Sequence, residues 1–220
     1  MNLISGNINR RNFVKYGAIS CIGLSTYSAN AVYIINPFFG TGTGGGGGGS
    51  CNTLRENVQT GAAYPSISIQ GVGGPQIANA GTLFTPTGTY TACKAEAYFV
   101  GKDQTPTWNL YAAIFTNTGA GTSQGPGVQS GTRSDLVSAS SISSGSGFVT
   151  FSNLSVNIVS GLKCWFCLIS TGDTRTPGDN IYWQVNNDYT SNDLVAQSTG
   201  IVGWELFNNF DRGVFKLYSS

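Results

Sequence analysis

The chain contains no histidine. That removes the side chain most often used as a general base at neutral pH, and the commonest nitrogen ligand for a metal. A Ser-His-acid triad is thereby excluded. Glycoside hydrolysis needs two carboxyl groups roughly 5–10 Å apart across a cleft, but the acids here are scattered among turn-like stretches. Glu96 and Glu205 are the only glutamates outside the segment beside Cys51, and both read as solvated surface positions. Asp173, Asp179 and Asn180 share one loop and offer the oxygen ligands that calcium takes, although Arg175 in the same loop can neutralise those acids. The expectation is no enzyme and no cofactor, with calcium at Asp173 and Asp179 as the one alternative. Aromatic residues offer a different chemistry, since an exposed ring stacks on a sugar with little conformational entropy to lose. Trp204, in Gly203-Trp204-Glu205, and the adjacent Tyr182 and Trp183 are the candidate ligand contacts. Neighbours on a strand point to opposite faces, so one of Tyr182 and Trp183 must turn inward. Trp108 and Trp165 are expected in the core.

The chain has five cysteines. Cys21 falls in the leader described below, leaving Cys51, Cys93, Cys164 and Cys167, an even number that suits an oxidising compartment. Two disulfides are possible, in three connectivities. Cys164 and Cys167 lie three apart in an apolar run; on an extended strand they face opposite ways and cannot bridge each other. Zinc would need two further ligands and a redox Cys-x-x-Cys normally opens a helix, so a structural role is expected for all four, as disulfides or buried thiols.

Charge and composition narrow the partners. Only 10% of residues are charged, and glycine alone accounts for 31 positions. Solubility must come from neutral hydroxyls and amides, the surface that short strands joined by polar turns produce. Basic and acidic residues number 11 and 10, with no basic stripe, which argues against nucleic acid, whose phosphates demand clustered Lys and Arg.

Near the N-terminus, Asn9-Arg10-Arg11-Asn12-Phe13-Val14-Lys15 precedes a weakly apolar stretch from Tyr16 to Ser28 and then Ala29-Asn30-Ala31. This order resembles a twin-arginine export signal with a small-x-small cleavage site, which implies a signal peptide over residues 1–31 and an exported protein in the periplasm, at the cell surface or outside the cell. No membrane span is expected in the mature chain. Val32 to Phe39 is a short apolar segment, and Gly44 to Gly49 an uninterrupted run of glycine. Oligoglycine has no side chain to pack, so residues 32–50 read as a tether and residues 51–220 as the folded domain. A phosphate-binding loop would need Lys followed by Ser or Thr; Ser50-Cys51 stands there instead.

Beyond Cys51, period-two alternation recurs between turn signals and helical periodicity does not. Strands are predicted at Ser66–Gln70, Thr82–Phe84, Thr91–Val100, Trp108–Thr116, Gly147–Phe151, Ser155–Val159, Lys163–Ser170, Asn180–Asn186 and Gly213–Tyr218. In the third of these, Cys93, Ala95, Ala97 and Phe99 should face the core and Lys94, Glu96 and Tyr98 the solvent. Continuous apolarity over Lys163–Ile169 predicts a central strand covered on both sides. Gly119 to Ser146 reads as a long loop broken by a short strand near Leu136-Val137-Ser138.

Three features in series carry a resemblance: Val100-Gly101-Lys102 before Trp108-Asn109-Leu110-Tyr111-Ala112-Ala113-Ile114, a Gly/Pro loop with Ser138-Ala139-Ser140, and Phe148-Val149-Thr150-Phe151 leading to Gly161-Leu162-Lys163-Cys164-Trp165-Phe166. From about Thr91 to Tyr218 the chain resembles the jelly-roll β-sandwich modules of secreted bacterial carbohydrate-binding and surface proteins and of phage surface proteins. The resemblance implies an all-β antiparallel sandwich of about eight to nine strands and contributes no catalytic residue. The function expected is an exported, non-catalytic module that binds carbohydrate or a surface protein. The alternative is a structural subunit of a surface layer or virion, with the N-terminal segment as its docking tether.

Overall fold

In a computed structural model, residues 50–58, 66–69, 79–103, 106–119, 124–171, 179–187, 195–198, 204–208 and 211–220 are described. They lie in one compact unit, Gly48–Ser220. The proposed leader, most of the glycine tether and Asp173 fall outside the described residues.

Alternating Ala, Phe and Leu against Lys, Glu and Tyr can bury one face of a strand and wet the other, and the chain uses this pattern to build two antiparallel sheets. The first sheet contains β1 (Thr53–Asn57), β2 (Ser66–Ile69), β4 (Tyr90–Lys102), β8 (Gly147–Phe151), β9 (Val156–Ile158), β11 (Ile181–Asn187), β14 (Asp211–Gly213) and β15 (Phe215–Ser219). The second contains β3 (Asn79–Phe84), β5 (Asn109–Thr118), β6 (Gly125–Ser130), β7 (Val137–Ser138), β10 (Cys164–Thr171), β12 (Val195–Ser198) and β13 (Glu205–Asn208). A single 3-10 turn, Ala139–Ser141, is the helical structure among the described residues.

The topology is that of a jelly roll. Taking β8 and β9 as one interrupted strand, the first sheet runs β1-β15-β4-β8/β9 and the second β3-β10-β5-β6. In sequence rank among these eight, the orders are first-eighth-third-sixth and second-seventh-fourth-fifth, the double Greek key that closes such sandwiches. The remaining strands enlarge this frame: β2, β11 and β14 widen the first sheet, and β7, β12 and β13 the second. The fifteen strands among the described residues thus exceed the expected eight to nine because additions flank an eight-strand core.

Between the sheets, Phe166 of β10 stacks on Phe215 of β15 with ring centroids 4.5 Å apart, and Trp183 meets Phe166 edge-on at 5.9 Å. Offset and edge-on contacts of this kind suit the ring quadrupole and fix how the layers seat. Gly213 makes the seating possible, because a Cβ there would fall 2.1 Å from the Trp183 ring.

Alternation in β4 holds with one local correction. Ala95, Ala97 and Phe99 are buried as expected, but Cys93 leaves the inner row and Ala92 takes its place. The cause is a bulge: Tyr218 pairs with Lys94 and Ser219 with Ala92, so Cys93 is the extra residue between them. The bulge turns Cys93 toward Cys51, and the two form a disulfide with Cα atoms 6.0 Å apart.

Candidate functional site

The cysteines divide as one bridge and two thiols. Cys164 and Cys167 are free and occupy opposite faces of β10: Cys164 packs against the inter-sheet core, Cys167 within a second cluster on the outer face with Leu83, Trp165 and Ala196. Two disulfides therefore do not form, and β10 is central and covered on both sides as its apolar run predicts. Burial, and then the charge of Glu56, pushes the Cys164 thiol up from 9.0 to about 12; burial raises Cys167 well above 9.0. Both stay protonated at neutral pH, so neither is a ready nucleophile. Glu56 itself is buried and accepts hydrogen bonds from the Tyr90 hydroxyl at 3.3 Å and the Thr87 amide at 3.2 Å.

The aromatic candidates separate. Trp183 is fully buried and its indole N–H donates to the Val214 carbonyl at 3.0 Å, a core role that excludes it as a surface contact. Trp108 and Trp165 are likewise buried, their indoles donating to the Asp179 carbonyl at 3.1 Å and to Asn117 Oδ1 at 2.8 Å. Trp204 is half-buried, edge-on to Phe115 at 6.1 Å, and packs against the second cluster. Tyr182 alone among the candidates turns outward beside polar groups able to bind.

Those groups come from β2 and from the residues that flank β4 and β11. The Tyr182 hydroxyl donates to Asp103 Oδ2 at 2.7 Å, and the Asn180 amide donates to the same oxygen at 2.8 Å. Ser68 of β2 donates to Asn180 Oδ1 at 2.8 Å, and the Asp103 amide donates to the Asn180 carbonyl at 3.0 Å. The bond to Asp103, more than burial, raises the Tyr182 phenol above 10.0 and holds it protonated. A bulge positions the acid: Tyr182 pairs with Gly101 and Trp183 with Phe99, so Val100 is extra and the strand end is re-aimed. Gly101 has φ 148°, and a Cβ there would sit 3.0 Å from the Ser144 carbonyl, so this turn needs glycine. Asp103 is exposed, and among the described residues no donor pairs with its Oδ1.

A second aromatic surface covers the outer face of the first sheet. Lys94 Nζ stands 3.9 Å from the Tyr218 ring centroid and Lys216 Nζ 3.7 Å from that of Phe148. Glu96 sits between them, 3.7 Å from Lys216 and 3.9 Å from Lys94, and accepts the Tyr218 hydroxyl at 2.7 Å. Each of these two rings already has an ammonium over it, which leaves them poorer stacking platforms than Tyr182. Glu96 is thus a surface charge in a lysine-tyrosine network. The side chain of Glu205 is outside the described set.

Asp179 is buried, and among the described residues no three acidic or cysteine side chains gather as a metal site; Asp173 is not described. No helix among the described residues is long and apolar enough to cross a membrane. Together with the Cys51–Cys93 bridge, this is compatible with an exported protein. Comparison with protein-family models, with curated proteins and with solved structures finds no match.

Proposed function

We propose that the chain is an exported, non-catalytic binding module that recognises carbohydrate at a cell surface through the Tyr182 cluster. The observation that carries this reading is the exposed Asp103, whose Oδ1 meets no donor among the described residues, held beside an outward tyrosine and an asparagine oriented by Ser68. A carboxylate oxygen and an amide suit vicinal hydroxyls, while the tyrosine presents apolar area to the ring. Position supports display as well. The domain begins at the Cys51–Cys93 bridge near one end of β4, whereas Asp103 lies just past the other end. Ten residues separate them, roughly 33 Å at ~3.3 Å per residue, so the cluster lies at the far end of β4 from Cys51.

The test is a glycan array probed with the wild type, Tyr182→Ala and Asp103→Ala. Binding by the wild type and at least a tenfold loss in each variant are expected. An intact, folded protein that binds no glycan removes the carbohydrate reading. Export has its own check: N-terminal sequencing of secreted material should start near Val32, and a start at Met1 refutes the leader.

A further inference from the structure

The edges of the two sheets are not guarded alike. An open strand edge invites pairing with another chain unless charge, proline or a bulge discourages it. On β1, Arg55 and Glu56 sit at a bulge. On β6, Pro126 and a register shift opposite Phe115 and Asn117 serve the same end. The β8 sequence, Gly147-Phe148-Val149-Thr150-Phe151, has no charge and no proline, and it pairs with β4 without any register shift.

The hydrogen-bond parity shows which groups that edge offers. The Tyr98 amide donates to the Val214 carbonyl at 3.1 Å, so Tyr98 faces the C-terminal strands. Its neighbours Ala97 and Phe99 therefore face β8, where they pair with Val149 and Gly147. The N–H and C=O of Phe148 and of Thr150 consequently point away from β4. Ser152 has the same parity, and its carbonyl accepts the Asp135 amide at 2.9 Å from that outer side. Thr132 and Ser155 exchange bonds of 2.8 and 3.1 Å just beyond. Residues 132–135 thus cover the edge as far as Ser152, and among the described residues nothing pairs with Phe148 or Thr150. Phe148 is 40% exposed beside them.

We propose that β8 is the seam of a two-fold symmetric homodimer in which Phe148 of one copy lies opposite Thr150 of the other. An antiparallel pair centred on Val149 lets Phe148 and Thr150 exchange both of their free groups with the second copy. The arrangement is self-complementary, as a two-fold interface requires. The β8 residues that pair are uncharged, so no charged pair lies directly opposite at the seam, and the first sheets of both copies join into one. The row of Tyr98 and Phe148, whose rings meet edge-on at 5.0 Å, meets Thr150 of the second copy across the seam. Asp135 limits the pairing to this short stretch, so the association is weak and depends on concentration. It does not depend on the ligand.

Sedimentation velocity of the full chain from about 10 µM to about 1 mM tests the seam, since a dissociation constant between these limits shows as a shift in mass. The wild type should approach twice its monomer mass. Thr150→Pro removes an outward N–H but leaves the β4 ladder intact, because that ladder uses Val149 and Phe151; its dissociation constant should rise at least tenfold. Phe148→Lys supplies an edge charge and should act in the same direction if the proline variant misfolds. Hydrogen exchange at the Phe148 and Thr150 amides should slow as concentration rises. A wild type that stays monomeric at 1 mM overturns the proposal, as does a dimer that both folded variants leave unchanged.

Discussion

On the outer face of the first sheet, Lys94, Glu96, Lys216 and Tyr218 form a partly hydrated network; on the outer face of the second, Leu83, Trp165, Cys167 and Ala196 are buried. Both sheets share the same interior, yet only one carries a second apolar layer. The difference explains the composition of β10, which must be apolar on both sides, against β4, which alternates. It also separates the two thiols into different layers, which is why they do not pair. Gly81 belongs to the same design, because a Cβ there would approach Cys167 Sγ to 2.7 Å.

The contrast can be broken most severely at Trp165. Trp165→Ala should lower unfolding free energy by about 3–5 kcal/mol in urea titrations, as expected for a large buried ring; a loss under about 1 kcal/mol would show that the outer cluster is only a cover. Next comes alkali. The Cys164 thiol is raised from 9.0 to about 12 on folding and Cys167 is raised too, so the folded state holds protons that the unfolded state releases first. The stability that these two thiols contribute should be constant well below pH 9.0, their unperturbed value, and be lost as pH rises toward the folded values. Thermal melts should show that decline, and Cys164→Ala should lessen it. The smallest effect belongs to the hydrated face: Glu96→Gln should change stability by under about 1 kcal/mol, and less at high salt. A larger change would mean that this network is part of the structural core.

Local alternation made β4, β5, β8 and β10 legible in the sequence, because each needs at least one apolar row. β1 and β6 were not legible. Thr53-Leu54-Arg55-Glu56-Asn57 and Gly125-Pro126-Gly127-Val128-Gln129-Ser130 look like turns, and they become strands only through pairing with β15 and β5. The bulge at Cys93 is set by the partner strand, so alternation alone placed that side chain on the wrong face. The twin candidates Tyr182 and Trp183 could be narrowed to one inward and one outward, and the deciding fact was the space over Gly213. Asp103 is not distinguished in the sequence because it resembles any turn acid. Its role arises from β11 lying beside β4, a contact across nearly eighty residues that no local pattern encodes.

The bridge at Cys51 has a mechanical consequence. A pull arriving along the glycine run reaches sulfur before it reaches β1, and the bond to Cys93 hands the load to β4, which is flanked by strands on both edges. The edge strand β1, held by its ladder to β15, is bypassed. In the oxidised protein, tension at Ser50 therefore bears on the middle of the sheet; after reduction the same tension would unzip β1 from its end, one hydrogen-bonded pair at a time.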